Sequence, residues 1–205
     1  NADIFKKRAD GSGSVIPLIT GLQHDRLPEW SRDDRHLIYS STGEGSSDIW
    51  MVSLDSDQAP VPFMETLHED TSPALSPDGR YVAYVSKESE RFEVHVTRFP
   101  SGDGKWQVAA GSGPKWNSNG TELFYVSGGD SLMAVTVSTR GVFSPGIPKA
   151  LFSAEQVRAY QFGGYDVTAD GQRFVVVQEV LGEETSPTPA ITVVQNWYKE
   201  FEEQK

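Results

Sequence analysis

The chain has no cysteine among its 205 residues. Without thiols it cannot form disulfides, bind zinc through cysteine or use a thiol nucleophile. It has no apolar run near the roughly 18–20 residues that a membrane-spanning helix needs. Basic residues are also scarce, since 18 Lys and Arg stand against 29 Asp and Glu, for a net charge of −11. This imbalance disfavours binding to nucleic acid or insertion at an anionic membrane surface, because both require a basic face.

Residue patterns typical of catalysis and metal binding are missing as well. The four histidines are His24, His36, His68 and His95, and no two are spaced as metal ligands. No Gly-x-Ser-x-Gly elbow occurs, and the serines in segments 11–14 and 43–47 have no histidine nearby to activate them. The sequence therefore predicts no catalytic residue, no metal site and no cofactor.

A six-residue pattern is present four times. The copies run from Trp30 to Arg35, from Leu75 to Arg80, from Trp116 to Thr121 and from Val167 to Gln172. We take the second residue of each copy as an anchor, and the anchors are Ser31, Ser76, Asn117 and Thr168. The intervals between them are 45, 41 and 51 residues, and a period of this size is typical of repeat architectures.

Each copy reads as a tight turn. Two residues after the anchor stands a short polar side chain, which can bond the backbone two residues further on: Asp33, Asp78, Asn119 and Asp170. Three residues after the anchor stands a glycine in three copies, Gly79, Gly120 and Gly171, and Asp34 in the first. We expect this position to have a positive φ, as in a hairpin loop that ends in a left-handed residue.

The segments after each turn predict four short strands per repeat. Second strands are predicted at 36–41, 81–86, 122–127 and 173–178, where apolar residues occupy both faces. Third strands are predicted at 48–52, 93–96, 132–137 and 191–194, and fourth strands at 61–64, 106–109 and 149–152. Four strands per 40–50 residues are typical of a β-propeller blade.

The predicted fold is thus an all-β propeller of four-stranded blades, with about five blades or part-blades. Residues 1–21 form a half blade, 22–66, 67–110 and 111–158 form whole blades, and 159–205 form an incomplete last blade with a tail. The two terminal pieces together supply five strands instead of four, so we favour part of a larger propeller over a self-contained ring. Unpaired strand edges would then favour self-association through the terminal blades.

One polar pair recurs at the same distance before two anchors. It comprises His24 with Asp25, and Glu69 with Asp70. We expect these four residues in the loops that lead into the innermost strands, which converge on one mouth of the central channel. They could form an acidic site for a cation, a basic peptide or a basic partner surface. Alternatively, each Asp satisfies backbone N–H groups at the crossover between blades.

The tryptophans divide into two groups. Trp30, Trp50 and Trp116 lie at periodic positions and are expected to pack between blades. Trp106 and Trp197 fall on outer or terminal elements, where an interface is the better interpretation.

The repeats resemble those of TolB-like propellers of the Tol system. The resemblance rests on Pro28, Trp30, Ser31, Asp33 and Tyr39 in one repeat, on the segment 73–84 in the next, and on the Asp48-Ile-Trp50 strand. The segment 190–197 also resembles the end of propellers attached to bacterial receptor-type Ser/Thr kinases. The repeats are similar, further, to the N-terminal propellers of prolyl-oligopeptidase-like peptidases.

These resemblances imply a non-catalytic binding or scaffold module with a protein partner or a small ligand. They imply a location outside the bacterial cytoplasm, in the periplasm or beyond, and a ligand-sensing role if a kinase is attached. The alternative is the gating propeller of a serine peptidase, or of another hydrolase, whose catalytic domain is absent from this chain.

Overall fold

Every regular element that the structure describes is a β-strand. The computed structural model describes residues 2–43, 45–56, 58–64, 66–128, 131–153, 164–177 and 191–195. In these ranges the strands are β1 (Ile4–Lys6), β2 (Ile16–Ile19), β3 (His24–Trp30), β4 (His36–Thr42), β5 (Ser47–Ser53), β6 (Val61–Met64), β7 (Asp70–Leu75), β8 (Tyr81–Ser86), β9 (Glu93–Arg98), β10 (Trp106–Ala110), β11 (Ser112–Trp116), β12 (Glu122–Val126), β13 (Ser131–Ser138), β14 (Ser144–Pro145), β15 (Lys149–Ser153), β16 (Tyr165–Val167), β17 (Arg173–Val177) and β18 (Ile191–Gln195). None of the described residues belongs to a helix that could cross a membrane.

The strands form a row of antiparallel sheets, each built from strands that follow one another in the chain. β3–β6 form the first four-stranded sheet and β7–β10 the second. β11, β12, β13 and β15 form the third, with the short β14 also paired to β13. β1 pairs with β2 at one end of the row, and β16, β17 and β18 make a three-stranded sheet at the other. The predicted propeller blades are therefore confirmed, and so are the four predicted second strands, which are β4, β8, β12 and β17.

The turn between the first two strands of a blade has the predicted conformation. Asp34 has φ 56° and Gly79 has φ 70°, so both are left-handed. The N–H of each donates to the carbonyl of its anchor, at 2.9 Å to Ser31 and at 2.8 Å to Ser76. The Asp78 carboxylate accepts from the N–H of Arg80, two residues on, at 3.1 Å. The repeated sequence pattern therefore encodes one turn geometry, because each polar side chain satisfies a backbone donor of its own turn.

Apolar side chains fill the space between neighbouring sheets. Between the first and second four-stranded sheets lie Ile38 and Ile49 from one side and Val82 and Tyr84 from the other, all essentially unexposed. The next two interfaces have larger clusters of the same kind, and the β1–β2 pair covers Leu37 and Tyr39. Strands β4, β8 and β12 are buried on both faces because each lies between two layers.

The tryptophan predictions are confirmed only in part. Trp116 is 8% exposed and lies in the core between the second and third four-stranded sheets. Trp50 packs against the cluster around Leu37, as expected. Trp30 was expected to pack between blades, yet it is 49% exposed, and it does not belong to the apolar cluster that β1 and β2 form with β4 and β5. Trp106, assigned to an interface, instead packs edge-on against Tyr81 at 6.1 Å. Trp197 lies outside the described residues.

Candidate functional site in the central channel

The innermost strands carry a bulge at one repeat position, four residues before the anchor. Pairing with the second strand shifts register between Arg26 and Glu29 in β3, and equivalently in β7 and β11. The residues at this position are Leu27, Ser72 and Gly113, with φ values of 54°, 54° and 61°. Each is followed by a proline, at Pro28, Pro73 and Pro114. A bulge bends its strand and leaves one residue out of the ladder, so three successive inner strands bend at the same level.

Two of these bulges hold strained backbone. Leu27 and Ser72 have side chains, and a left-handed conformation is unfavourable for any residue with a Cβ. A following proline restricts the preceding residue further, toward extended conformations. Strain of this kind is concentrated at binding and catalytic sites of proteins. The bulges are therefore the first indication of a functional site.

The bulges surround a cavity of about 170 Å³. Its walls are Leu27, Pro28, Glu29, Ser72, Pro73, Gly113, Pro114 and Lys115, contributed by the inner strands of three consecutive blades. The wall is rigid because prolines fix their own φ. Ser72 is 8% exposed, and its hydroxyl has no hydrogen-bond partner among the described residues. The cavity thus combines apolar walls with a few polar groups, as small-ligand sites do.

Four residues at one repeat position, two before each anchor, lie beside the cavity, and three of them are charged. The residues are Glu29, Ala74, Lys115 and Asp166, and we call them the collar. All four line one adjoining concavity of about 200 Å³. The Lys115 ammonium is 3.6 Å from the Asp166 carboxylate, a loose ion pair whose side chains are 32% and 70% exposed. Ala74 leaves an uncharged gap in the collar between Glu29 and Lys115.

Glu29 is the collar residue that bonds the backbone of a neighbouring blade. Its Oε2 accepts a hydrogen bond from the N–H of Leu75, in the next blade, at 3.3 Å. Burial raises the pKa of the Glu29 carboxyl, while the Leu75 N–H and the Lys115 ammonium oppose that rise and Asp166 adds to it. Glu29 is therefore a carboxylate that is partly withdrawn from water and that faces charges on two other blades.

The residues predicted at the channel mouth lie near this site but not in its wall. His24, Asp25 and Asp70 were expected in loops, but they belong to strands β3 and β7, because the inner strands begin earlier than predicted. His24 is exposed and Glu69 is half-buried, whereas Asp25 is 6% and Asp70 0% exposed. An acidic mouth formed by all four thus stays a prediction, with two of its carboxyl groups turned away from solvent.

The two buried carboxylates bond hydroxyl groups. Asp25 Oδ1 accepts from Ser41 at 2.6 Å, and Asp70 Oδ2 accepts from Thr66 at 2.7 Å. In both cases the donor is a side chain, where the alternative interpretation had proposed backbone N–H groups. Ser41 is also the residue that pairs with Asp25 across the β3–β4 ladder. The recurrence of Asp at this position is thus explained in part by local hydrogen bonding.

A second group of buried polar side chains lies on the face of the second four-stranded sheet. His95 is 4% exposed, its ring lies 5.7 Å from that of Tyr84, and its Nε2 is 3.5 Å from Glu93 Oε2. Burial lowers the pKa of His95, although Glu93 and Asp70 oppose the shift. Among the described residues, no group of three or more His, Asp and Glu side chains could hold a metal ion.

Sequence reasoning missed the collar, although the signal was available. The repeat alignment that located Asp25 and Asp70 also aligns Glu29, Lys115 and Asp166, four residues further along. Asp25 and Asp70 attract notice because the same residue recurs at one repeat position. The collar instead has opposite charges at equivalent positions, and only the curvature of the blades brings them together.

Comparison with known proteins places the chain among β-propellers. No protein-family model matches the sequence, and no curated protein matches it. The fold is similar to TolB from Acinetobacter baumannii, with a TM-score of 0.68 and 13% identity over 95% of this chain and 46% of that one. It is also similar to a putative TolB from Agrobacterium tumefaciens, with a TM-score of 0.69 and 18% identity over 92% and 68%. A puromycin-hydrolyzing peptidase of Mycobacterium tuberculosis matches with a TM-score of 0.59 and 21% identity, over 82% of this chain and 31% of that one.

These likenesses establish a TolB-like β-propeller fold. The chain spans less than half the length of the first TolB structure and about two thirds of the second. At such low identities the likeness extends to the fold alone.

Proposed function

We propose that this TolB-like propeller is a non-catalytic binding module that works outside the bacterial cytoplasm and takes its ligand or partner at the central channel. The observation that carries the proposal is the cavity between the three bulges, flanked by the collar. Propellers bind along their axis because loops and inner strands from several blades meet there on a rigid frame.

The chemistry of the site supports binding over turnover. Glu29 is held by the Leu75 N–H, and Lys115 lies beside Asp166, so the charged groups that line the channel are positioned by hydrogen bonding or pairing. The hydroxyl of Ser72 has no histidine or lysine among its hydrogen-bond partners. A nucleophile needs such a base within hydrogen-bonding reach. A module of this kind also fits attachment to a receptor kinase, for which the complete gene sequence is the test.

The test is a melting-temperature screen of the purified chain against small molecules and peptides. A ligand that binds only the folded state raises the melting temperature, and above Kd the stabilisation grows with the logarithm of the ligand concentration. We expect hits that stabilise the wild type but not Lys115→Glu, in which the collar charge is inverted. The matched control is Lys149→Glu, on the exposed strand β15. Hits that stabilise both variants equally would place binding outside the channel.

The second candidate is the propeller of a hydrolase whose catalytic domain lies elsewhere. The likeness to the puromycin-hydrolyzing peptidase favours it, because this chain covers only 31% of that enzyme. In either case we expect the 205-residue chain to have no esterase, peptidase, kinase or nuclease activity. Turnover that disappears when a single Ser or His of this chain is replaced would contradict both candidates.

A further inference from the structure

The cavity between the bulges has opposite charges on its two sides. Glu29 is contributed by β3 and Lys115 by β11, and both line the same cavity. The strand between them, β7, presents only Ser72 and Pro73 to the cavity, while Ala74 leaves the collar without a side-chain charge at this point. The two charged groups therefore face a space that lies between them.

The charges do not neutralise each other directly. Among the described residues, the ion pairs at or below 4.0 Å include Lys115 with Asp166 but not Lys115 with Glu29. Burial raises the pKa of the Glu29 carboxyl, and the Lys115 ammonium opposes that rise without cancelling it. A partly buried carboxylate is stabilised most by a charged donor that bonds it directly. The Leu75 N–H supplies one weak donor, so Glu29 retains acceptor capacity toward the cavity.

A second, independent observation concerns Ser72, which lies in the wall and is 8% exposed. Its hydroxyl oxygen is out of reach of a water-sized group, so other atoms of Ser72 line the cavity. The same residue is held in a left-handed conformation before a proline, which is costly unless the site requires it.

The cavity volume limits the size of a ligand. A water molecule takes about 30 Å³ of liquid volume. The cavity of about 170 Å³ therefore has room for roughly five or six non-hydrogen atoms, with more where it opens to the channel. Alanine has six. The walls next to the charges are apolar, since they include Leu27 and Pro114.

We propose that this cavity binds a small dipolar molecule of the size of a free α-amino acid, with its ammonium group on Glu29 and its carboxylate on Lys115. An opposite pair of fixed charges selects a ligand that carries both charges and rejects ligands that carry one, because each unpaired charge would stay partly desolvated. The inference rests on the proposed binding function and names the ligand class for the same site.

The test is isothermal titration calorimetry of the wild-type chain with glycine, L-alanine and L-valine. The two blocked analogues of alanine are the matched ligand controls. N-acetyl-L-alanine lacks the ammonium group and L-alaninamide lacks the carboxylate. We expect one or more of the free amino acids to bind, and each blocked analogue to bind roughly tenfold or more weakly, since each loses a charge-assisted hydrogen bond.

Two variants assign the ends of the ligand. Glu29→Gln should lose the discrimination against N-acetyl-L-alanine, and Lys115→Gln the discrimination against L-alaninamide. Glu90→Gln and Lys149→Gln make the same charge changes at exposed positions and should bind like the wild type. If either cavity variant fails to fold by circular dichroism, Glu29→Asp or Lys115→Arg takes its place, with weakened binding expected from the displaced charge.

Three results would overturn the inference: no binding of any free amino acid, equal binding of free and blocked alanine, or unchanged discrimination in both cavity variants. The proposed binding function would still stand after any of these results, provided that other ligands raise the melting temperature of the wild type and not that of Lys115→Glu. Failure of that screen together with failure of the amino acids would refute the binding function as well.

Discussion

Trp116 donates its indole N–H to the carbonyl oxygen of Ala74 at 2.8 Å, and so joins the third inner strand to the second. Its counterpart Trp30 occupies the same repeat position and is half exposed. We expect Trp116→Phe to lower the free energy of unfolding by about 1–3 kcal/mol, because a buried carbonyl loses its donor. Trp30→Phe is the matched control and should change it by less than about 0.5 kcal/mol. Urea denaturation of both variants measures their free energies of unfolding. Equal losses in the two variants would contradict a stabilising hydrogen bond from Trp116 to Ala74.

The left-handed turn residues give a second prediction. Asp34→Gly should be neutral or stabilise the fold by up to about 1 kcal/mol, because glycine carries no Cβ penalty at φ 56°. Gly79→Val should destabilise it clearly. The nearest atom to a Cβ at position 79 is Arg32 Cβ at 3.8 Å, so the cost comes from the backbone conformation and not from a clash. Chemical denaturation checks both, and a silent Gly79→Val would refute the turn geometry.

The bulge in β3 links stability to function. Leu27→Gly should raise the free energy of unfolding by up to about 1 kcal/mol, because the left-handed residue before Pro28 loses its Cβ. The same change removes an apolar side chain from the cavity wall, so ligand binding should weaken while stability rises. Gly113 is already glycine, so Gly113→Ala is the opposite change and should destabilise. Melting temperatures and ligand titrations of the two variants test this prediction. A Leu27→Gly variant less stable than the wild type would show that the contacts of the Leu27 side chain contribute more free energy than the backbone strain costs.

His95 predicts a loss of stability on mild acidification. Its pKa in the folded chain is lowered from 6.5 by burial, with Glu93, Asp70 and the Tyr84 ring as its polar neighbours. The unfolded chain therefore binds a proton more readily, and folding loses stability as the pH falls below about 6.5. His95→Gln should flatten the dependence of the melting temperature on pH from 7 to 5. His24→Gln, at an exposed position, should leave the slope unchanged.

Self-association is expected through the ends of the row of sheets. Phe5 on β1 is 53% and Val175 on β17 is 37% exposed, in the sheets at the two ends of the row. Exposed apolar groups next to open strand edges favour contact with another chain. Light scattering should show oligomers that Phe5→Arg or Val175→Lys reduces. A monomeric wild type at high concentration would contradict this prediction.

The sequence predicted the blades well because their signals are local. One repeat contains all the residues that determine its turn and its second strand. The turn at Asp78 and Gly79, for example, lies directly before the apolar run at Tyr81–Ser86. It predicted the site poorly because the collar depends on distance across the channel. Glu29 and Lys115 are 86 positions apart in the numbering, and nothing in either neighbourhood indicates that both line one cavity. The exposure of Trp30 was missed for the same reason, since it depends on what the neighbouring sheet covers.

The pattern of backbone hydrogen bonds leaves the spacing between blades free to vary. Among the described residues, few backbone hydrogen bonds join neighbouring blades: the N–H of Asp25 donates to the carbonyl of Ala2, beside the bridge between Ala2 and His24, and the N–H of Gly111 donates to the carbonyl of Phe92. The spacing and tilt of successive blades are thus set by side-chain volume, as at Ile38 and Val82. Larger or smaller residues there would widen or narrow the axial opening and leave each ladder intact. Homologous proteins could in this way tune the bore of the channel, and the size of molecule that enters it, without altering a single strand.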